Sequence, residues 1–346
     1  MNWLATAIPS SDRDYYQKAR DRQAQLTKPP GSLGMLEEIA LRLAALQRSE
    51  TPSVDHVWVS VFAADHGVAE ESVSAFPQVV TTEMVRNFVN QGAAINVLSR
   101  YVRADFEVID VGLIEAIDCQ GVVVDRAGNG TANFSEQAAM TCEQLEKAMN
   151  AGKAAVTRAL HQDARLFIGG EMGIANTTSA TALAAALLAI DAVEITGAGT
   201  GLTEAQVEHK TEVVQSSLEK HQSVLESPLK ILQYLGGFEI AALVGAYLYA
   251  AQQRLPVMVD GFIATVAALS AVSINPQVKD WLFFAHCSHE KGHRLVLRAL
   301  EVRPILDLDM RLGEGSGAVA AVPLIQMACR LHNEMATFAQ ARITTE

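Results

Sequence analysis

Glu314 stands between two glycines in the stretch RLGEGSGAV (311–319). A helix would not choose those neighbours, because each glycine costs roughly 1 kcal/mol against alanine in a helix interior. Glycine does open unusual dihedrals and close approach to a ligand. The stretch is therefore either a turn that happens to hold an acid or a mount for a working carboxylate. A second acid, Glu171, sits in GGEMGIANTTSATALAAAL (169–187), which has the ingredients of a phosphate cradle. Glycines such as Gly173 allow backbone approach, and Asn176, Thr177, Thr178 and Ser179 open a strongly helical run. A helix N-terminus suits an anion, although Asn176 or Thr177 can equally be a plain N-cap, or cap and ligand together.

Other constellations carry less. GAGTGL (197–202), with Gly199 and Gly201, lacks a complete GxGxxG because position 202 is Leu, and no segment matches GxxxxGK[ST]. Lys210 follows on a helix with Glu204 and Glu208; it is either a solvated lysine or a point charge for phosphate. HCSHEKGH (286–293) offers His286, Cys287, His289 and His293, but not the HExxH spacing of zinc. A loop touching substrate or a partner subunit is the preferred reading. In ADHG (64–67), Asp65 and His66 suit a base or a metal, with a structural acceptor role preferred for the Asp. No GxSxG elbow is present. TKPPGSLG (27–34) reads as a rigid turn leading into a helix.

The elements that must position these residues alternate. Short apolar runs at 56–64, 106–112, 164–170, 192–197, 256–261 and 281–286 read as strands covered on both faces. Helix-length patterns occupy 81–99, 135–161, 177–190, 204–221, 238–253 and 262–273. That alternation predicts an α/β fold with a parallel sheet flanked by helices. The first fifty residues and the last thirty or so carry helical patterns only. The expected division is a small helical domain, 1–50 plus 318–346, and a large α/β domain, 51–317. Several predicted strands end in polar or glycine-rich loops, which would gather around one crevice at the carboxyl edge of the sheet.

Composition narrows the classes. The 346 residues are 49% hydrophobic, ample for a large core. The net charge of −12 suggests no basic surface for nucleic acid. The N-terminus lacks a signal-peptide pattern, and no apolar run reads as a membrane span. Four cysteines without CxxC spacing fit a reducing cytoplasm.

KPPGSLGMLEEIA, AADHGVAEESVSAFPQVVTTEMVRNFVNQGAAINVLSR, GGEMGIANTTSATAL and DMRLGEGSGA stand in this order and spacing, and the likeness they carry runs from about residue 10 to about 340. Together they resemble the nicotinate-nucleotide–dimethylbenzimidazole phosphoribosyltransferase family. The resemblance implies a Rossmann-like sheet, a homodimer, and no organic cofactor or catalytic metal. It implies transfer of the 5-phosphoribosyl group of nicotinate mononucleotide to 5,6-dimethylbenzimidazole, giving α-ribazole 5′-phosphate and nicotinate for cobalamin assembly. By the resemblance, Glu314 matches the catalytic base and Glu171 a second carboxylate able to assist. Phosphate and ribose would meet Gly173, Asn176, Thr177, Thr178, Gly199, Gly201 and Lys210. The acceptor base would lie among Ser74, Phe76, Met84 and Leu312. This chain departs from many members in having Ala198 where they carry Arg, and in its histidine-rich loop. Two rival readings differ in class. A nicotinamide-dependent oxidoreductase would need a glycine fingerprint after the first strand, where ADHGVAEESV stands instead. A non-catalytic nucleotide sensor would bind without releasing nicotinate.

Overall fold

The computed structural model describes residues 1–199 and 201–344. Six strands form one parallel sheet: β1 (Val57–Ala64), β2 (Asp105–Gly112), β3 (Val122–Val124), β4 (Leu166–Met172), β5 (Val257–Val259) and β6 (Leu282–Phe284). Their order is β3-β2-β1-β4-β5-β6, and every neighbouring pair is parallel. This is the doubly wound Rossmann order, in which the winding reverses between β1 and β4. The strands form where β-branched and aromatic residues run without polar interruption. All of β1 except Trp58 is buried, as a strand covered on both faces requires.

The helices in chain order begin with α1 (Arg13–Gln25), α2 (Met35–Gln47), α3 (Val79–Val89), α4 (Ala94–Val102) and α5 (Cys142–His161). Next come α6 (Asn176–Leu188), α7 (Ala192–Ile195), α8 (Glu204–His221), α9 (Pro228–Leu235) and α10 (Phe238–Gln252). The last are α11 (Phe262–Ile274), α12 (His293–Ala299), α13 (Ser316–Glu334) and α14 (Phe338–Ala341). α10 is buried along almost its whole length, against α5 on one side and β1, β2 and β4 on the other. Two glycines permit this: a Cβ on Gly152 would lie 1.8 Å from the Ala242 carbonyl oxygen, and one on Gly245 would lie 2.1 Å from that of Met149.

The chain ends meet. α2 packs on both α1 and α13. The Arg22 guanidinium donates to the carbonyls of His332 at 2.7 Å and Asn333 at 2.8 Å, and Leu26 bridges to Thr337.

Three elements differ from the sequence expectation. The run at 192–197 is one helical turn, α7, not a strand. Its buried residues Ala192 and Ile195 are three apart, while Val193 and Glu194 face outward, so its period is helical. The place beside β4 belongs to β5. The single helix expected over 81–99 is two, broken around Gln91, whose φ is +62°. Finally, β3 has no counterpart among the predicted strands. It is three residues long at the sheet edge, with Val124 61% exposed.

Candidate active site

The carboxyl ends of β4, β5 and β6 open into a cavity of about 320 Å³, within the usual range for small-molecule sites. β4 runs straight into Glu171 and Gly173, β5 into Asp260, and β6 into His286 and Ser288. The segment after β1 contributes Phe76 and Met84, and the 311–314 loop closes the opposite side with Leu312 and Glu314. One wall is therefore apolar and the floor is acidic.

Glu314 is 5% exposed and sits at φ +64°, between Gly313 at +88° and Gly315 at +87°. A non-glycine residue in this region costs on the order of 1–3 kcal/mol, and such strain tends to collect at working sites. Two close approaches explain the neighbouring glycines. A Cβ on Gly170, in β4, would meet the Glu314 carbonyl oxygen at 2.2 Å, and one on Gly313 would meet Glu171 Oε1 at 2.5 Å. The Glu314 carboxylate accepts from the Ile95 N–H at 3.4 Å, in the first turn of α4. Burial raises its pKa, that N–H opposes the rise, and the charge of Asp260 adds to it.

Glu171 is pushed further, to about 8, by burial first and then by Glu239 and Asp260. Its Oε2 accepts from Asn176 Nδ2, at the start of α6. Asp260 accepts the Gly315 N–H at 3.1 Å and the Ala318 N–H at 2.8 Å. Burial raises its pKa too, against His286 and these donors. At neutral pH a group poised near 8 mostly holds a proton, whereas a less shifted neighbour can take one.

Beyond Thr177 lies Lys210, almost wholly buried on α8. Its Nζ donates to Thr177 Oγ1 at 2.9 Å and to the Gly197 carbonyl at 3.5 Å. Burial lowers its pKa to about 8, and Glu290 opposes the shift. A desolvated cation of this kind is matched to an incoming anion.

Of the residues singled out from sequence, Glu314, Glu171, Gly173, Asn176, Thr177, Gly199, Phe76, Met84 and Leu312 line this one cavity. Ser74 borders a smaller adjoining hollow with Gly173, Thr177 and Gly199. Lys210 stands behind Thr177. Thr178 points into the protein, with no hydrogen-bond partner for its hydroxyl among the described residues. Gly201 lies outside both hollows, and Thr200 of the same loop is outside the described residues. Asp260 and Arg311 had no role in the sequence reading, and His286, Ser288 and Glu290 had one only as part of a loop touching substrate or a partner subunit; all five line the cavity. Their signal was position: each follows a strand end or flanks the glycine mount.

The histidine-rich loop is dispersed. His293 Nδ1 accepts the Ser288 N–H at 2.7 Å, and its Nε2 is 2.9 Å from Thr265 Oγ1. Burial lowers its pKa to about 3. His286 faces Asp260 at 3.7 Å, and His289 lies outside beside Asp309. After β1, Asp65 accepts the Ile114 N–H at 2.8 Å, while His66 Nε2 lies 2.7 Å from Glu239 Oε1 in a fully buried pair.

Comparison with known proteins points one way. The chain matches the family described as phosphoribosyltransferase over residues 8–343. It is 54% identical over 342 residues to the nicotinate-nucleotide–dimethylbenzimidazole phosphoribosyltransferase of Pseudomonas putida KT2440, covering 99% of this chain and 97% of that one. It is 54% identical over 343 residues to the protein of that name from Azotobacter vinelandii, again covering 99% and 97%. The crystal structure of the Thermus thermophilus protein of that name superposes with a TM-score of 0.91 at 44% identity, covering 97% of this chain and 100% of that one.

Proposed function

The chain belongs to the nicotinate-nucleotide–dimethylbenzimidazole phosphoribosyltransferase family, and from that premise we infer the reaction and the residues that carry it. The enzyme transfers the 5-phosphoribosyl group of nicotinate mononucleotide to 5,6-dimethylbenzimidazole, forming α-ribazole 5′-phosphate and nicotinate. The product serves cobalamin lower-ligand assembly. The observation that best supports this reading is one carboxylate, Glu314, set between an apolar wall and a polar end that leads to a buried lysine.

The chemistry needs little acid help. The ribose C1′–nitrogen bond to the pyridinium breaks with its electron pair on nitrogen, so nicotinate leaves with a neutral ring nitrogen. One ring nitrogen of dimethylbenzimidazole bonds to C1′ from the opposite face, which inverts a β-linkage to an α-linkage. The other ring nitrogen carries a proton that becomes acidic as the ring turns cationic. Glu314 takes it, from about 2.6–3.2 Å in the productive complex, for roughly 10²–10⁴ in rate. Its raised pKa makes it a better base than an exposed glutamate. Its negative charge also favours an oxocarbenium-like transition state.

Glu171 is protonated over most of the neutral range, so it donates a hydrogen bond there and becomes a base only above about pH 8. Gly173, Asn176, Thr177, Thr178, Gly199, Gly201 and Lys210 form the phosphate and ribose end of this reading. Ser74, Phe76, Met84 and Leu312 form the acceptor end. The helical segments 1–50 and 318–346 make the small domain, and 51–317 the large one. No described helix is long and apolar enough to cross a membrane, and we place the enzyme in the cytoplasm as a homodimer. Sedimentation of the purified protein tests the dimer.

The decisive experiment incubates the metal-chelated protein with nicotinate mononucleotide and dimethylbenzimidazole, following nicotinate and α-ribazole phosphate by chromatography and mass. Equal formation of both is expected. Nicotinate alone would mean hydrolysis or another acceptor, and an unconsumed nucleotide would overturn the reading.

A further inference from the structure

The loop that carries Glu314 is an improbable one. Three successive residues, Gly313, Glu314 and Gly315, hold positive φ, and locally the turn is closed by Ser316, whose N–H donates to the Gly313 carbonyl at 3.0 Å. Gly315 is the N-cap of α13, yet a glycine has no side chain with which to cap. The acceptor comes instead from another element. Asp260, at the end of β5 and 2% exposed, takes the Gly315 N–H on Oδ2 and the Ala318 N–H on Oδ1. A side chain of α13 itself supplies only the Ser316 Oγ bond to the Gly313 carbonyl, at 2.6 Å.

We propose that Asp260 is a positioning residue for the transfer: both oxygens of its carboxylate grip the backbone on the far side of Glu314, fixing where the base stands. The proposal rests on the reading of Glu314 as that base. The sheet makes the grip rigid. Asp260 follows directly on β5, which pairs with β4, and β4 supplies Gly170, the surface against which the Glu314 carbonyl packs. Two adjacent strands thus hold the loop from below, one by hydrogen bonds and one by contact.

Asp260 also acts through its charge. It is faced by His286 from the end of β6, Glu171 from β4, Tyr247 from α10 and Glu314 from the loop it holds. The form that accepts N–H donors on both oxygens is the ionised one, and in that form its charge raises the pKa of Glu314 and strengthens that base. Neutralising it should weaken the base and carry the acid limb of the rate profile to lower pH.

The test compares E314Q, D260N and the double variant, with kcat and KM measured across pH. D260N is expected to lose about 100-fold in kcat, the scale on which a small misplacement acts. The KM for nicotinate mononucleotide should stay within about threefold, with the acid limb displaced downward. In the E314Q background D260N should cost nothing further, because residues acting as a unit are not additive. A full second loss in the double variant would overturn Asp260's role while leaving Glu314's intact. So would a raised KM with kcat unchanged. Wild-type turnover in E314Q would overturn the base assignment itself, and the proposal with it. Should D260N fail to fold, G315A decides. It forces a Cβ into φ +87° and to 3.3 Å from the Gly170 Cα without touching the charge. It should lose kcat with its acid limb unmoved, and unchanged kcat would overturn the proposal.

Discussion

At the scale of single residues, two carboxylates a few ångströms from the same glycine divide their labour by environment. Both are buried and each accepts a hydrogen bond, Glu314 from the Ile95 N–H and Glu171 from Asn176, but Glu171 feels the charges of Glu239, Asp260 and Glu314 whereas Glu314 feels that of Asp260. Glu314→Gln should keep its melting temperature and lose about 10²–10⁴ in kcat. Its residual rate should then rise between pH 7 and 9, as Glu171 sheds its proton near 8. A flat residual profile would exclude Glu171 as a substitute base. Lys210 gives a prediction of opposite signs. Burial desolvates its charge, so Lys210→Met should leave stability in urea unchanged or raised. The same variant should raise KM for the mononucleotide about 10- to 100-fold, since a hydrogen bond to a charged group contributes roughly 1.5–3 kcal/mol. A destabilised variant with normal KM would make Lys210 a structural residue.

At the scale of elements, the pairing of α5 with α10 sets how closely the sheet is covered. Gly152→Ala gains about 1 kcal/mol of helix propensity. Against that stands a contact of 1.8 Å with a backbone oxygen of the facing helix, where overpacking typically costs about 1–3 kcal/mol. The clash should win, and chemical denaturation should show a lower midpoint at unchanged slope. Legibility divides at this scale too. β1, β2 and β4 stand out in the sequence because their apolar runs are long, and α8 is found at the bounds its pattern sets. The run at 192–197 misleads because a six-residue apolar stretch fits either period, and only burial of Ala192 and Ile195 decides. β3 is too short to carry a pattern. Glu314 and Glu171 are conspicuous because their glycines are local. Asp260 is not, because what makes it matter is two N–H groups more than fifty residues away, brought to it by the sheet.

At the scale of the whole molecule, the cost of assembling an acidic floor inside a buried crevice should be readable in stability against pH. Glu171 has a folded pKa near 8 and an ordinary value of 4.5. The folded state therefore binds more protons than the unfolded state between those limits, and stability falls as pH rises through that window. Glu314 and Asp260, also raised, act with the same sign. His293 acts in the opposite direction. Its folded pKa near 3 lies below the ordinary 6.5, so it destabilises as pH falls through that range. Lys210, lowered from 10.5 to about 8, is charged in both states below 8. The histidine and the lysine both oppose the carboxylates, at the two ends of the range between about pH 6.5 and 8, and contribute least near its middle, where the carboxylates dominate the slope. Thermal melts of the ligand-free enzyme should show a decline across that window, and Glu171→Gln should flatten most of it. An undiminished slope in that variant would place the titrating group elsewhere in the crevice, with Asp260→Asn the next melt to run.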